Sequence, residues 1–221
     1  MAMLALSCAA FLLLHVLPST PLRARLVGAL GEGPYLGAFS VASIGLVVWM
    51  AFAFGAAPAQ PLWPGLRWLP PAVMPFAFIL LACGVLTPNP TAVAAGKLFA
   101  RPEPARGIVR VTRHPVMWGI MLWAGAHLAA VGTISATLFF GTFLVLAAAG
   151  TRLQDARKAK THGEDWKRFA ALTSNLPFAA IAQGRNRFSL AEIGYVRVVF
   201  GLLLYGGFFL AHPWLFGVRP Y

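Results

Sequence analysis

Six long runs of apolar residues constrain this chain more than any other feature. They lie near residues 2–17, 35–56, 72–86, 116–131, 135–150 and 195–211. A helix of about 20 apolar residues crosses the hydrocarbon core of a bilayer, and flanking residues can extend a shorter run. Only 11% of the residues are charged, against roughly 25% in a soluble domain. The sequence therefore predicts an all-α, polytopic membrane helix bundle with about six transmembrane helices, forming a single domain over residues 1–221.

The basic residues predict the orientation of these helices. Of the 18 Lys and Arg residues, all but Arg67 and Arg219 fall in or beside the segments that follow the first, third and fifth runs. By the positive-inside rule these segments face the cytoplasm, so both termini lie on the non-cytoplasmic side and residues 151–194 form a basic cytoplasmic loop. The net charge of +12 then indicates contact with the anionic lipid bilayer, and no motif points to nucleic acid. The expected location is a bacterial inner (cytoplasmic) membrane.

Two histidines lie inside apolar runs and are candidate functional residues. His15 is near the cytoplasmic end of the first run and His127 is deep in the fourth. An ionisable side chain within a membrane indicates function. Imidazoles without nearby carboxylates suit haem iron with axial histidines. Room for a flat macrocycle is expected beside small residues around His127, which are Ala124, Gly125, Ala126 and Ala130. Alternatively, His127 only hydrogen-bonds between helices and the small residues allow close packing.

A second candidate site is the segment Arg113-His114-Pro115 at the cytoplasmic start of the fourth run. The planar guanidinium of Arg113 can hold a phosphate or a carboxylate, and His114 can act as a ligand or as an acid or base. The alternative is a simple anchor to lipid headgroups.

Depth in the membrane limits which histidines can meet. At 1.5 Å of rise per residue, His127 lies about 18 Å above Pro115, whereas His15 is close to Pro18 at the cytoplasmic face. Depth alone therefore pairs His15 with His114, and His127 with His212.

Several short motifs, in this order and spacing, resemble the NnrU family, and the same frame is similar to the zeta-carotene isomerases of plants and cyanobacteria. The motifs are Leu14-His15, Arg23-Ala24-Arg25, Gly31-Glu32-Gly33-Pro34-Tyr35, Arg113-His114-Pro115 with Trp118-Gly119, and Leu122-Trp123-Ala124-Gly125-Ala126-His127-Leu128. The isomerase likeness continues through Gly163-Glu164 and Pro177-Phe178-Ala179-Ala180-Ile181 to Ala211-His212-Pro213.

The resemblance implies a polytopic membrane protein and, in the isomerase branch, a haem b with axial ligands at His15 and His127. There the ferrous haem acts on the central 15-cis bond of a polyene. His114 and Arg113 remain further candidates for binding a cofactor. NnrU proteins are associated with denitrification, in the expression or maturation of the nitrite and nitric oxide reductases. One departure from the isomerases is Ala124, where they carry a cysteine that could serve as another ligand.

A more distant likeness favours a different reaction. Arg113-His114-Pro115, a span, a short return and an aromatic amphipathic helix also look like the isoprenylcysteine carboxyl methyltransferase core, which binds S-adenosylmethionine. That family carries paired glutamates where this chain has Gln154-Asp155.

The function expected from the sequence is a haem-dependent polyene isomerase or a redox accessory of denitrification. A methyltransferase and a non-catalytic membrane assembly factor remain as alternatives.

Overall fold

A computed structural model describes residues 1–92 and 95–220 and shows an all-helical chain. Within these residues there is no β-strand, and short 3-10 segments occupy Leu17–Ser19, Gly96–Ala100 and Gly107–Arg110. The α-helices are α1 Ala2–Val16, α2 Pro21–Leu30, α3 Glu32–Gly55, α4 Leu69–Leu86, α5 Pro115–Val131, α6 Ile134–Leu172, α7 Ala179–Ala182, α8 Leu190–Ile193 and α9 Tyr195–Phe216. The predicted helical membrane bundle is confirmed.

Each of the six apolar runs forms a helix, but they differ in length. Five helical segments are long and apolar enough to cross a membrane: α3, α4, α6, α9, and α1 together with the 3-10 segment that continues it to Ser19. The helix α5 is a shorter apolar helix of 17 residues. Its start is set by Pro115 in the first turn, and its end by Gly132, whose φ of 64° is left-handed. The crossing number of six and the sidedness of the termini stay predictions.

The long helices lie side by side in the order α3, α1, α6, α5, α4, α9. Glycines let α4 and α5 approach closely, as small residues do between membrane helices. A Cβ atom at Gly119 of α5 would lie 2.7 Å from Leu81 Cγ, and one at Gly84 of α4 would lie 2.9 Å from Val116 Cγ2. Because α5 carries His114 at one end and His127 near the other, this contact positions both candidate sites.

The segment 151–194, for which the sequence predicts a basic cytoplasmic loop that contains an aromatic amphipathic helix, is largely helical. The helix α6 continues to Leu172 with one break at Gly163 (φ 48°, ψ −116°), and α7 and α8 follow. Beyond the apolar run, Trp166 and Phe169 turn towards Phe99 and form a second buried core with Val109 and others. The amphipathic helix is thus the continuation of α6, and the cytoplasmic location of the segment stays a prediction.

An ion pair fastens α8 to the 3-10 segment Gly107–Arg110. Arg110 Nε donates to Glu192 Oε2 over 2.7 Å, and Arg110 Nη2 donates to Glu192 Oε1 over 3.2 Å. The Gly107 amide also donates to Glu192. These contacts, led by the hydrogen bond from Arg110, hold the pKa of Glu192 below its ordinary value of 4.5. The carboxylate therefore stabilises the folded state only while it is ionised.

We expect the replacement Glu192→Gln to remove a pH-dependent part of the stability. A carboxyl whose pKa is depressed on folding contributes stability that is fully present above its ordinary pKa of 4.5 and is lost as the pH falls through the folded pKa. Thermal unfolding in detergent from pH 3 to 7 should show the wild type more stable than the variant near neutrality, with the difference shrinking below about pH 4.5. The matched control is Glu103→Gln, since Glu103 and Arg106 are both 68% exposed. An equal effect of both variants would contradict the assignment.

Candidate functional site

Arg113 and His114 share one carboxylate, that of Asp155 on α6. His114 Nε2 lies 2.7 Å from Asp155 Oδ1, and Arg113 Nε lies 3.4 Å from Asp155 Oδ2. The side chain of His114 is 1% exposed and that of Arg113 is 14% exposed. The structure thus brings together two residues predicted from the sequence and adds a partner, Asp155, which the methyltransferase likeness placed at the position of an acidic pair.

Backbone hydrogen bonds fix the segment that carries these residues. The Arg113 carbonyl accepts from Asn89 Nδ2 (3.1 Å) and Thr91 Oγ1 (2.8 Å), and the Arg113 amide donates to the Ser174 carbonyl (3.0 Å). Asn89 Oδ1 in turn accepts from Thr91. Two other stretches of the chain, residues 89–91 and the turn at Ser174, therefore hold the backbone of Arg113, and its side chain starts from a rigid position.

Asn175 forms a second support on the same side of α5. Its carbonyl accepts from Thr112 Oγ1 (2.6 Å) and from Trp118 Nε1 (2.8 Å), while its Nδ2 donates to Thr151 Oγ1 (2.9 Å). The turn after α6 is thereby tied to the start of α5. Sequence reasoning missed the role of Asn175, and it named Asp155 only through the methyltransferase likeness, without its contacts to Arg113 and His114. The scarcity of acids was one available signal, since the chain has only six Asp and Glu residues.

Part of the Arg113 guanidinium has no hydrogen-bond partner. Its Nε and Nη1 atoms are buried and make no hydrogen bond within residues 1–92 and 95–220. The guanidinium carbon lies 5.4 Å from the ring centroid of Trp166. Burial lowers the pKa of Arg113 and the charge of Asp155 raises it, but a guanidinium stays protonated in proteins. A buried cation with free donors is able to hold an anionic group.

His15 and His127 share a local geometry that suits metal ligation. The Nδ1 atom of His15 lies 2.8 Å from the Phe11 carbonyl, and that of His127 lies 2.8 Å from the Trp123 carbonyl. Since a carbonyl only accepts, each Nδ1 carries a proton and each Nε2 keeps its lone pair in the neutral ring. In the described part of the chain neither Nε2 has a hydrogen-bond partner. A backbone carbonyl on one nitrogen is the usual support of a ligating histidine.

A chain of aromatic contacts links the two imidazoles. The ring centroid of His15 is 4.2 Å from that of Phe11, and the centroid of His127 is 5.8 Å from that of Trp123. Phe143 contacts both of these neighbours, with centroids 5.3 Å from Phe11 and 5.2 Å from Trp123. We call Phe11, Phe143 and Trp123 the aromatic bridge. It connects the surroundings of the two candidate ligands.

The two imidazoles also lie at different levels along α6. Phe11 packs beside Phe143, and His15 lies one turn further along α1, which runs in the same direction as α6. His127 packs beside Phe140 at a centroid distance of 5.3 Å. The offset is about 10 Å at 1.5 Å of rise per residue. Each imidazole therefore fits a haem ligand by its donor chemistry, but in this arrangement the two do not flank one space.

The small residues around His127 only partly leave the room that the sequence suggested. Ala124 and Ala126 are buried, at 0% and 4% exposure, whereas a Cβ atom at Gly125 would meet nothing within 4 Å. Two of the small residues thus serve helix packing.

The histidine pairs expected from depth, His15 with His114 and His127 with His212, are not joined by hydrogen bonds. His114 Nε2 contacts Asp155, and His212 Nδ1 lies 2.8 Å from the Val218 carbonyl.

Comparison with known proteins adds a family and two relatives. The family model described as NnrU protein matches residues 3–220. The 15-cis-zeta-carotene isomerase, chloroplastic, of Arabidopsis thaliana is 41% identical over 81 residues, which is 36% of this chain and 22% of that protein. The protein of the same name from Zea mays is 32% identical over 122 residues, which is 48% of this chain and 30% of that protein. The chain thus spans less than a third of either relative. No solved structure matches the chain significantly.

Proposed function

The chain belongs to the NnrU family, and from this membership we propose that it is a membrane-embedded cis–trans isomerase of a lipophilic polyene that uses haem b. The observation that carries the proposal is the likeness to two 15-cis-zeta-carotene isomerases. It is supported by the two imidazoles whose Nδ1 atoms are held by carbonyls and whose Nε2 atoms have no partner in the described chain.

We assign His15 and His127 as the residues that would hold the haem iron, through the Nε2 atoms left free when each Nδ1 donates to a carbonyl. The haem would supply the redox-active iron of the reaction. The bridge residues are apolar or weakly polar and lie between α1, α5 and α6, so they can pack against a porphyrin or a polyene. A polyene dissolved in the bilayer reaches this region through the exposed apolar faces of α1 and α3.

The test of the cofactor is a reduced-minus-oxidised optical spectrum of the detergent-purified protein, supplied with haem during expression. We expect a low-spin b-type spectrum in the wild type. If both histidines are ligands, His15→Ala and His127→Ala should each convert it to a high-spin spectrum, and the double variant should lose haem. The control is His162→Ala, because His162 packs on Phe99 in the second core. A colourless wild type, or spectra unchanged in both single variants, would overturn the assignment.

The test of the reaction is the isomer ratio in a host that accumulates a 15-cis polyene in the dark. Expression of the wild type should raise the trans fraction, measured by chromatography of extracted pigments, and the double variant His15→Ala/His127→Ala should not. A haem-loaded protein that leaves the ratio unchanged would refute the isomerase activity while retaining the haem site.

Arg113 provides the specific observation in favour of a second candidate, a methyltransferase that uses S-adenosylmethionine. Its Nη1 atom, which has no hydrogen-bond partner in the described chain, can receive the carboxylate of that cofactor. Calorimetric titration of the purified protein with S-adenosylmethionine tests this candidate, and an absence of binding heat would exclude it.

A role in denitrification, with nitrite and nitric oxide reductases as partners, stays a prediction of the resemblance. A non-catalytic assembly role and the bacterial inner membrane also stay predictions.

A further inference from the structure

A cavity of about 260 Å³ lies where the C-terminal end of α4 meets the N-terminal end of α9. It is separate from the aromatic bridge and from the Arg113 site. Its wall includes Thr87 after α4, Arg197 on α9, and Arg101 and Arg106 from the segment between α4 and α5. Three cationic side chains, two from this segment and one from α9, therefore surround one space.

The acidic residues of this cavity are already neutralised by other cations. Glu192 is paired with Arg110 at 2.7 Å and lies 3.6 Å from Arg187. Glu103 is 3.7 Å from Arg106. In the described part of the chain, neither Arg101 nor Arg197 has an acid within ion-pair distance, and Arg197 Nη1 donates only to the Ile193 carbonyl. The cavity thus keeps two uncompensated positive charges.

Thr87 is a second, independent sign of a ligand. It is 8% exposed, and its hydroxyl has no hydrogen-bond partner within residues 1–92 and 95–220. Buried polar side-chain atoms are nearly always hydrogen-bonded, so such an exception calls for an explanation. Thr87 lines the cavity, and its enclosed hydroxyl reaches an anionic oxygen there after rotation about χ1.

The surface beside the cavity is apolar. Val85 and Leu86 at the end of α4 are 72% and 47% exposed, and Val196 and Val199 at the start of α9 are 82% and 52% exposed. Both helices are long and apolar enough to cross a membrane. The cavity therefore lies where the charged headgroups of a bilayer meet the acyl chains.

We propose that this cavity binds the headgroup of an anionic phospholipid. The phosphate lies between Arg101 and Arg197 and accepts a hydrogen bond from Thr87, while the acyl chains lie along the exposed faces of α4 and α9. A lipid is favoured over a soluble phosphate because only a lipid covers both the cationic cavity and the adjoining apolar surface.

Native mass spectrometry of the detergent-purified full chain tests whether the cavity binds an anionic lipid or a soluble phosphate. Phosphatidylglycerol should bind at least about tenfold more tightly than phosphatidylcholine, because two uncompensated guanidinium groups favour net negative charge. Glycerol 3-phosphate, the soluble headgroup analogue, should bind much more weakly than phosphatidylglycerol. Equal binding of the two lipids, or equal binding of glycerol 3-phosphate, would overturn the proposal.

Variants test the assignment of the side chains. The double variant Arg101→Gln/Arg197→Gln should weaken phosphatidylglycerol binding by about tenfold or more. The control, Arg25→Gln/Arg152→Gln, makes the same charge change outside the cavity and should leave binding unchanged. Thr87→Val should weaken binding several-fold without lowering the unfolding temperature of the lipid-free protein, because the lost hydroxyl has no partner there. An equal loss in the control pair would show a general charge effect and refute the site.

Discussion

Replacing Asp155 by Ala should destabilise the folded protein by about 3 kcal/mol, because it leaves one buried guanidinium without its counter-charge. The same change removes the acceptor 2.7 Å from His114 Nε2, whose side chain is 1% exposed. The start of α5 would lose the contact that ties it to α6, and Arg113 would have no anion within ion-pair distance in the described chain. Equilibrium unfolding in mixed detergent micelles measures the difference from the wild type.

Asp165→Ala is the matched control, since it removes another aspartate of α6 that is paired with an arginine. The Arg168–Asp165 pair is exposed, with side-chain exposures of 49% and 46%, and such pairs contribute only about 0–1 kcal/mol. A loss of stability in Asp155→Ala no greater than that in Asp165→Ala would show that the buried cluster does not hold α5 in place. Asp155→Asn is a second variant, which keeps the shape and removes only the charge.

The second large effect is expected from Gly119→Ala, which should cost about 1–3 kcal/mol by overpacking the contact between α4 and α5. A Cβ atom there would lie 2.7 Å from Leu81 Cγ and 3.0 Å from the carbonyl oxygen of Ala77. The backbone oxygen cannot rotate away, so the two helices must separate. Because α5 carries both candidate sites, the haem content of the purified protein should also fall.

Gly125→Ala provides the control in the same helix. A Cβ atom at Gly125 meets nothing within 4 Å, and alanine has the higher helix propensity, so the stability should stay the same or rise by up to about 1 kcal/mol. Unfolding curves of the two variants are recorded under identical detergent conditions. They show whether the destabilisation comes from overpacking at Gly119 or from any side chain added to α5. Equal destabilisation by both would refute the packing argument.

The sequence by itself determined the fold class and located the apolar part of each long membrane helix. Hydrophobic runs of this length have one stable form in a bilayer, the helix, because no water is present to satisfy exposed backbone groups. The starts and ends of α5 were also predictable, since Pro115 and Gly132 act through local backbone conformation. The candidate residues His15, His127, Arg113 and His114 were visible because ionisable groups are rare beside apolar runs.

Only the tertiary structure decided which of these residues meet. Asp155 reaches Arg113 and His114 because α5 and α6 pack side by side, a contact that no local pattern records. The aromatic bridge between His15 and His127 likewise depends on how α1, α5 and α6 pack together. The sequence predicts an apolar run and a separate amphipathic helix with Trp166 and Phe169, and only the structure joins them into one helix to Leu172 with a single break at Gly163. Composition reports the sum of both sides, and packing decides which side is buried.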